Sequence, residues 1–119
     1  MEIVHLPSSA SGAEIAEVLR RDGAVVVDEM VDPGLLDRFF DEMQPFVDAT
    51  PNGSDGFTGF TTRRTGGLLA RSATAQELVM HPSVTATCDD FLGHVTSYQL
   101  HLTQIIDIGP GGGAQPIHR

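Results

Sequence analysis

Hydrophobic periodicity at the start of the chain predicts a short helix followed by a compact strand. Ser11 and Glu14 have the spacing of a capping box, and apolar residues then recur at helical spacing until Gly23. Residues 24–27 form an uninterrupted apolar run that contains three valines. A run of this length and composition predicts a strand buried on both faces.

A longer helix is predicted after Asp32, which can cap its first turn, with Pro33 at the first helical position. The apolar positions of this helix form one stripe, which predicts core packing, and they are Leu36, Phe39, Phe40, Met43, Phe46 and Val47. Pro45 lies inside the stripe and predicts a kink or an early end of the helix.

Small and polar residues dominate residues 50–67, which predicts a long, mobile loop of the kind that carries function. Helical spacing returns with a second capping box at residues 74–77. A further helix is predicted over residues 82–92, with Gly93 suited to its C-terminal cap. Cys88 lies on the apolar side of that helix, so we expect a buried structural thiol.

Residues 95–108 are the longest strand candidate, and the glycines of residues 109–113 predict a turn after it. Side chains alternate between the faces of a strand, which places Gln104 on the same face as five large apolar or aromatic residues. A buried amide without a partner costs roughly 1–3 kcal/mol. Gln104 therefore needs backbone, water or a bound acid as its partner.

Composition favours one domain over residues 1–119, with 40% hydrophobic and 19% charged residues. The net charge of −9 argues against nucleic acid as a partner. No apolar run reaches the roughly 18 residues of a membrane helix, and the N-terminus is not of signal-peptide type. We therefore expect a cytoplasmic protein that does not bind membranes. The motifs of P-loop enzymes, serine hydrolases and cysteine zinc sites are missing from the sequence.

The candidate chemistry lies at the end of the sequence, where a strand, a Gly-Pro-Gly turn and Gln115 lead into His118 and Arg119. On a strand, a histidine and a carboxylate two positions later point the same way and can bind one metal. We expect three other histidines to have structural roles, namely His5, His81 and His94. The role of His101 stays open.

This last segment resembles the phytanoyl-CoA dioxygenase family of iron- and 2-oxoglutarate-dependent oxygenases. In that family a strand, a Pro-Gly turn and a glutamine precede a His-Arg-Asp sequence. Residues 19–27, 62–72 and 78–84 also follow the order of the family's segments. The resemblance covers roughly residues 15–119 and only the N-terminal part of the family's fold.

The resemblance implies an α+β fold, in which N-terminal helices precede the opening strands of a double-stranded β-helix. This is a jelly-roll or cupin-like barrel, here apparently truncated. An open barrel edge would favour self-association. The implied cofactors are Fe(II) and 2-oxoglutarate, and the implied reaction is hydroxylation or another oxidation of a small organic molecule. The resemblance provides no counterpart here for the carboxylate and the distal histidine of the iron site, or for the family's usual anchor of the far cosubstrate carboxylate.

Individual roles follow from the same resemblance. His118 matches the first iron ligand, and Gln115 matches a polar residue that approaches the cosubstrate. Arg63 and Arg64 match a basic pair on the loop that borders the active site, where a guanidinium can hold a carboxylate. Gln104 is the remaining candidate for contact with the cosubstrate.

Two other classes of protein fit the same residues. A non-catalytic binding or interaction module could keep part of this scaffold without the metal site. A halogenase would have a small residue in place of the iron-binding carboxylate, which leaves a position for chloride.

Position 120 distinguishes these classes, and we predict Asp or Glu there in a longer chain. The 119 residues alone are expected to be inactive, because one protein histidine cannot hold iron in a defined facial geometry. Sequencing the gene beyond codon 119 checks the prediction. Gly or Ala at position 120 would indicate a halogenase, and any other residue would favour the non-catalytic module.

Overall fold

A computed structural model describes residues 2–116, which form helices and two small separate sheets. The elements follow one another as β1 His5–Pro7, α1 Gly12–Asp22, β2 Val26–Asp28, α2 Pro33–Ala49, β3 Thr62–Gly66, α3 Leu68–Arg71, α4 Ala73–Val79, α5 Pro82–Phe91 and β4 Gln104–Ile108. β1 pairs with β2 in parallel, and β3 pairs with β4 antiparallel. This mixture agrees with the predicted α+β class, but the two-stranded sheets of residues 2–116 form no closed barrel and do not confirm a jelly-roll.

The capping box of α1 is present as predicted. The backbone N–H of Ser11 donates to the Glu14 carboxylate at 2.8 Å, and Glu14 N–H donates back to Ser11 Oγ at 3.3 Å. α1 ends at Gly23, whose φ of 78° is the left-handed conformation that glycine adopts without strain. Local sequence therefore determines both ends of this helix.

α1 packs closely against α5. A Cβ added to Gly12 would lie 2.5 Å from the backbone carbon of Ala86, so the two helices approach at a point where only glycine fits. Ile15, Ala16 and Val18 are buried on α1, and Arg20 Nη2 donates to Asp90 Oδ1 of α5 at 2.7 Å.

β2 begins two residues later and ends one residue later than the predicted strand, and it is not buried on both faces. Val26 is 36% exposed, and Asp28 extends the strand at its end. Among residues 2–116 its one paired neighbour is the three-residue β1. The apolar run was therefore a correct signal for a strand but a wrong signal for its burial.

α2 begins as predicted, because the Asp32 side chain accepts a hydrogen bond from Leu35 N–H at 3.1 Å. The helix runs through Pro45 and ends at Ala49, so the early end predicted at Pro45 is not observed. Its apolar stripe is only partly core: Met43 is fully buried, whereas Phe40 is 55% exposed.

Met43 belongs to a buried apolar cluster. It packs with Leu68 of α3 and Ala75 of α4, and partly buried apolar side chains surround them, namely Phe39, Leu69 and Ile105. This cluster joins α2 to the sheet of β3 and β4. The cluster covers Met43 fully and Phe39 in part, whereas Leu36, Phe40 and Phe46 of the stripe stay exposed.

Residues 50–67 are not one long loop, because Thr62–Gly66 forms β3. The prediction failed because this strand has the polar sequence Thr-Arg-Arg-Thr-Gly, which carries no apolar alternation. Conversely, only Gln104–Ile108 of the predicted strand over residues 95–108 is a strand, β4. β4 begins at Gln104 because Gln104 pairs with Gly66, the last residue of β3, and the ladder ends at that pair.

The second predicted capping box is also corrected by the structure. Ser72 caps α4 through a hydrogen bond from Ala75 N–H at 2.8 Å. Thr74 is instead buried, and its hydroxyl donates to Glu42 of α2 at 2.8 Å. α5 begins at Pro82 as predicted, but its C-cap is Leu92 rather than Gly93.

Glu42 links α2 to α4, and this link yields a pH prediction. Its carboxylate accepts hydrogen bonds from the Ser72 hydroxyl and from both the N–H and the hydroxyl of Thr74. These bonds, with that of Ser72 the largest cause, lower the pKa of Glu42. A lowered folded-state pKa contributes stability above the ordinary carboxylate range, and that stability is lost as pH falls through the folded pKa.

We therefore expect Glu42→Gln to lower the melting temperature at about pH 7 and to have a smaller effect at an acidic pH well below the ordinary carboxylate range of about 4, because the stability that the lowered pKa provides is lost as pH falls. Thermal unfolding at the two pH values measures the difference. Glu17→Gln, at an exposed position of α1, is the matched control and should have little effect at either pH. Equal destabilisation by Glu42→Gln at both values would contradict the link.

Candidate functional site

The sheet of β3 and β4 has two faces with different surroundings. Arg64 pairs with Ile106 and Thr62 with Ile108, so these residues share one face. Thr65 and Ile105 pair on the opposite face, where Thr65 Oγ1 donates to Thr50 Oγ1 at 2.9 Å and Ile105 packs beside the Met43 cluster. One face thus contributes to the core and the other is available for a site.

A cavity of about 260 Å³ lies on the Arg64 face. The two strands form its floor, the turn of residues 55–59 forms one wall, and residues 113–115 lie beside them. The lining residues are Gly56, Phe57, Thr58, Gly59, Thr62, Arg64, Ile106, Ile108, Gly113, Ala114 and Gln115. Arg64 and Gln115, predicted from distant parts of the sequence, therefore meet at one cavity.

Arg64 is half-buried, and its Nη1 donates a hydrogen bond to the backbone oxygen of Thr58. A guanidinium carries five N–H donors in a planar fork. Within residues 2–116, Arg64 donates to no acceptor other than Thr58. Arg64 is thus anchored through one nitrogen while its fork can bind an oxyanion.

Gln115 is anchored to the same turn. Its Nε2 donates to the backbone oxygen of Phe57, one residue before the oxygen that holds Arg64. The same side-chain amide also carries an oxygen, which can accept a hydrogen bond. The cavity therefore combines a cation, an amide and the apolar side chains of Ile106 and Ile108.

The other predicted cosubstrate contacts are placed differently. Gln104 shares the face of Arg64 but pairs with Gly66 at the far end of the ladder, outside the cavity lining. Arg63 lies on the opposite face, with Nη1 4.0 Å from Asp48 Oδ1 of α2. Both arginines are on strand β3, not on a loop as the sequence pattern indicated.

The predicted iron ligand, His118, lies outside the described residues. Residues 2–116 contain no group of three or more histidine, cysteine or acidic side chains that could hold a metal ion. The roles seen for two other histidines are structural: His81 Nδ1 accepts Ser83 N–H at the start of α5, and His5 Nδ1 lies 2.9 Å from Asp28 Oδ1. Cys88 is half-buried, so the prediction of a fully buried thiol holds only in part.

Sequence reasoning missed Asp55, which shapes the wall of the cavity. Its Oδ1 accepts hydrogen bonds from Phe57 N–H at 2.9 Å, Thr58 N–H at 2.6 Å and the Thr58 hydroxyl at 2.8 Å. These bonds, the backbone bond of Thr58 first, lower the pKa of the Asp55 carboxyl. An aspartate followed by glycine and, three residues on, by threonine is a turn signal that could have indicated this role.

Comparison with known proteins identifies the family. The family model for phytanoyl-CoA dioxygenase (PhyH) matches residues 19–119, and the chain belongs to the phytanoyl-CoA dioxygenase family. The dioxygenase FrzG of a Cladobotryum species is 33% identical over 130 aligned residues, covering 96% of this chain and 42% of that protein.

Other relatives are also described as dioxygenases. The dioxygenase aneA of Aspergillus aculeatus is 33% identical, with 89% of this chain and 39% of that protein covered. The multifunctional dioxygenase ausE of Penicillium brasilianum is 27% identical, with 95% of this chain and 40% of that protein covered. The chain therefore spans about two fifths of the length of these relatives. Within residues 2–116, none of the helices is long and apolar enough to cross a membrane.

Proposed function

We propose that this chain is the N-terminal part of an Fe(II)- and 2-oxoglutarate-dependent oxygenase that hydroxylates or otherwise oxidises a small organic molecule. The observation that carries the proposal is that Arg64 and Gln115 line one cavity. Gln115 lies three residues before His118 in the sequence. Membership of the phytanoyl-CoA dioxygenase family and the dioxygenase names of the relatives support it.

The cavity residues fit a carboxylate-bearing cosubstrate. The guanidinium fork of Arg64 can donate two parallel hydrogen bonds to a carboxylate, which is the stronger, bidentate arrangement. Ile106 and Ile108 provide an apolar surface for the methylene carbons that link the two acid groups of 2-oxoglutarate. Arg64 binds and orients the acid, Gln115 adds a directed polar contact, and the isoleucines offer apolar surface to the carbon chain.

The described residues do not by themselves fit a metal, since they contain no cluster of ligands. In the proposal His118 supplies the first ligand, and the carboxylate and second histidine belong to residues beyond Arg119. When bound, iron and 2-oxoglutarate would activate O2, the oxidant for reaction at an unactivated carbon, with 2-oxoglutarate itself oxidised to succinate and CO2. The part of the present chain is to position the acid next to the metal.

We expect His118→Ala in the complete protein to remove most iron affinity while changing the melting temperature of the metal-free form little. A ligand that points into a preformed site contributes little to stability without the metal. A packed core histidine would behave in the opposite way, with a loss of roughly 1–3 kcal/mol on substitution. Iron binding and metal-free thermal unfolding are measured on the same samples. Retained iron affinity with a large loss of stability would overturn the assignment of His118.

The two neighbouring arginines provide an internal control for the cosubstrate site. We expect Arg64→Ala to weaken 2-oxoglutarate binding by about a hundredfold, because it removes a bidentate charged contact worth about 3 kcal/mol. Arg63→Ala removes the same charge from the opposite face of β3 and should change affinity by about threefold or less. Calorimetric titration of the complete protein measures both. A larger loss in Arg63→Ala than in Arg64→Ala would reject this cavity as the binding site.

A further inference from the structure

The turn of residues 55–59 holds the side chains of Arg64 and Gln115 through its main chain. The carbonyl oxygen of Phe57 accepts from Gln115, and the carbonyl oxygen of Thr58 accepts from Arg64. The positions of the two side chains therefore depend on the orientation of two successive peptide groups. A group that fixes the orientation of those two peptide groups therefore also fixes the positions of Gln115 and Arg64.

Both peptide groups are fixed at their N–H ends by Asp55. All the described peptide bonds are trans, so the N–H and C=O of each peptide group point in opposite directions within one plane. The N–H of the Phe57–Thr58 peptide donates to Asp55 Oδ1 at 2.6 Å. The N–H of the Thr58–Gly59 peptide donates to the Asp55 backbone oxygen at 2.8 Å.

We propose that Asp55 is a positioning residue, which aims Gln115 and Arg64 into the cavity by fixing the peptide groups that hold them. The proposal rests on the function proposed above, because it assigns the cavity to the acid cosubstrate. Asp55 acts through hydrogen bonds within the turn and, in this role, does not contact the bound acid.

The rest of the turn fits this role. Asp55 Oδ1 also accepts from Phe57 N–H and the Thr58 hydroxyl, so one oxygen atom organises three donors. Gly59 has a φ of 84°, and a Cβ there would lie 2.5 Å from Thr62 Oγ1, so the chain turns back onto β3 at a residue that only glycine suits. The lowered pKa of Asp55 keeps the carboxylate ionised at neutral pH.

The acceptor and the charge of Asp55 can be tested separately. Asp55→Asn keeps an oxygen at the position of Oδ1 and removes the charge, whereas Asp55→Glu keeps the charge and displaces the acceptor by one methylene. If Asp55 acts by position, Asp55→Asn should bind 2-oxoglutarate within about threefold of the natural protein. Asp55→Glu should bind it about tenfold more weakly, as expected for the loss of well-placed hydrogen bonds.

The measurement is calorimetric titration of the complete protein with 2-oxoglutarate, with Asp37→Asn at an exposed position of α2 as the matched control. Hydrogen exchange of the Thr58 amide and the Gln115 side-chain amide is followed by NMR in the same proteins. Faster exchange of both groups in Asp55→Glu, but not in Asp55→Asn, is the expected result. Tight binding by Asp55→Glu together with weak binding by Asp55→Asn would overturn the proposal, because it would assign the effect to charge.

The exchange data separate failure of this proposal from failure of the proposed function. If the natural protein does not bind 2-oxoglutarate, the function is wrong, and exchange at Thr58 and Gln115 still decides whether Asp55 fixes the turn. If the natural protein binds 2-oxoglutarate and all three Asp55 and Asp37 variants bind equally well with unchanged exchange, the function stands and the positioning role of Asp55 is wrong.

Discussion

The register between β3 and β4 is the constraint on which the rest of the site depends. Pairing of Arg64 with Ile106 puts the arginine over the cavity and leaves Ile105 to pack beside the Met43 cluster. A slip of one residue would exchange the faces, since side chains alternate along a strand. A slip in β3 would present Arg63 rather than Arg64 to the cavity, and a slip in β4 would turn Ile105 away from the core and Ile106 toward it. Burial of Ile105 and placement of Arg64 are thus two results of one pairing.

Local sequence predicted the starts of α1 and α2 through their caps, Ser11 and Asp32, because a cap bonds to groups only a few residues away. Strand limits were predicted poorly, because a strand extends only as far as its partner. Residues 95–103 carry a strand-like pattern, but β3 offers no partner beyond Gly66. The cap of α4 failed for a similar reason: Glu42, 32 residues away from Thr74, engages that threonine and leaves Ser72 as the cap.

For the candidate cavity, sequence reasoning proposed Arg64 and Gln115 but could not tell Arg64 from Arg63. Only the sheet register distinguishes the two, by placing Arg63 beside Asp48 on the opposite face. Asp55 was missed because its partners are main-chain groups. The backbone carbonyls of Phe57 and Thr58 accept the hydrogen bonds from Gln115 and Arg64. Holding those two side chains therefore constrains the residue types at positions 57 and 58 less than it constrains Asp55, whose side chain shapes the turn.

The packing of α1 on α5 has a consequence for the order of folding. Arg20 and its partner Asp90 are 70 residues apart, and the glycine contact at Ala86 spans a similar distance. Contacts between such distant residues form late, because the intervening chain must first be ordered. At synthesis rates of about 5–20 residues per second, α1 waits roughly 4–14 s on the ribosome before its partner helix exists. During that interval the apolar side of α1, with Ile15 and Val18, has no partner helix to cover it.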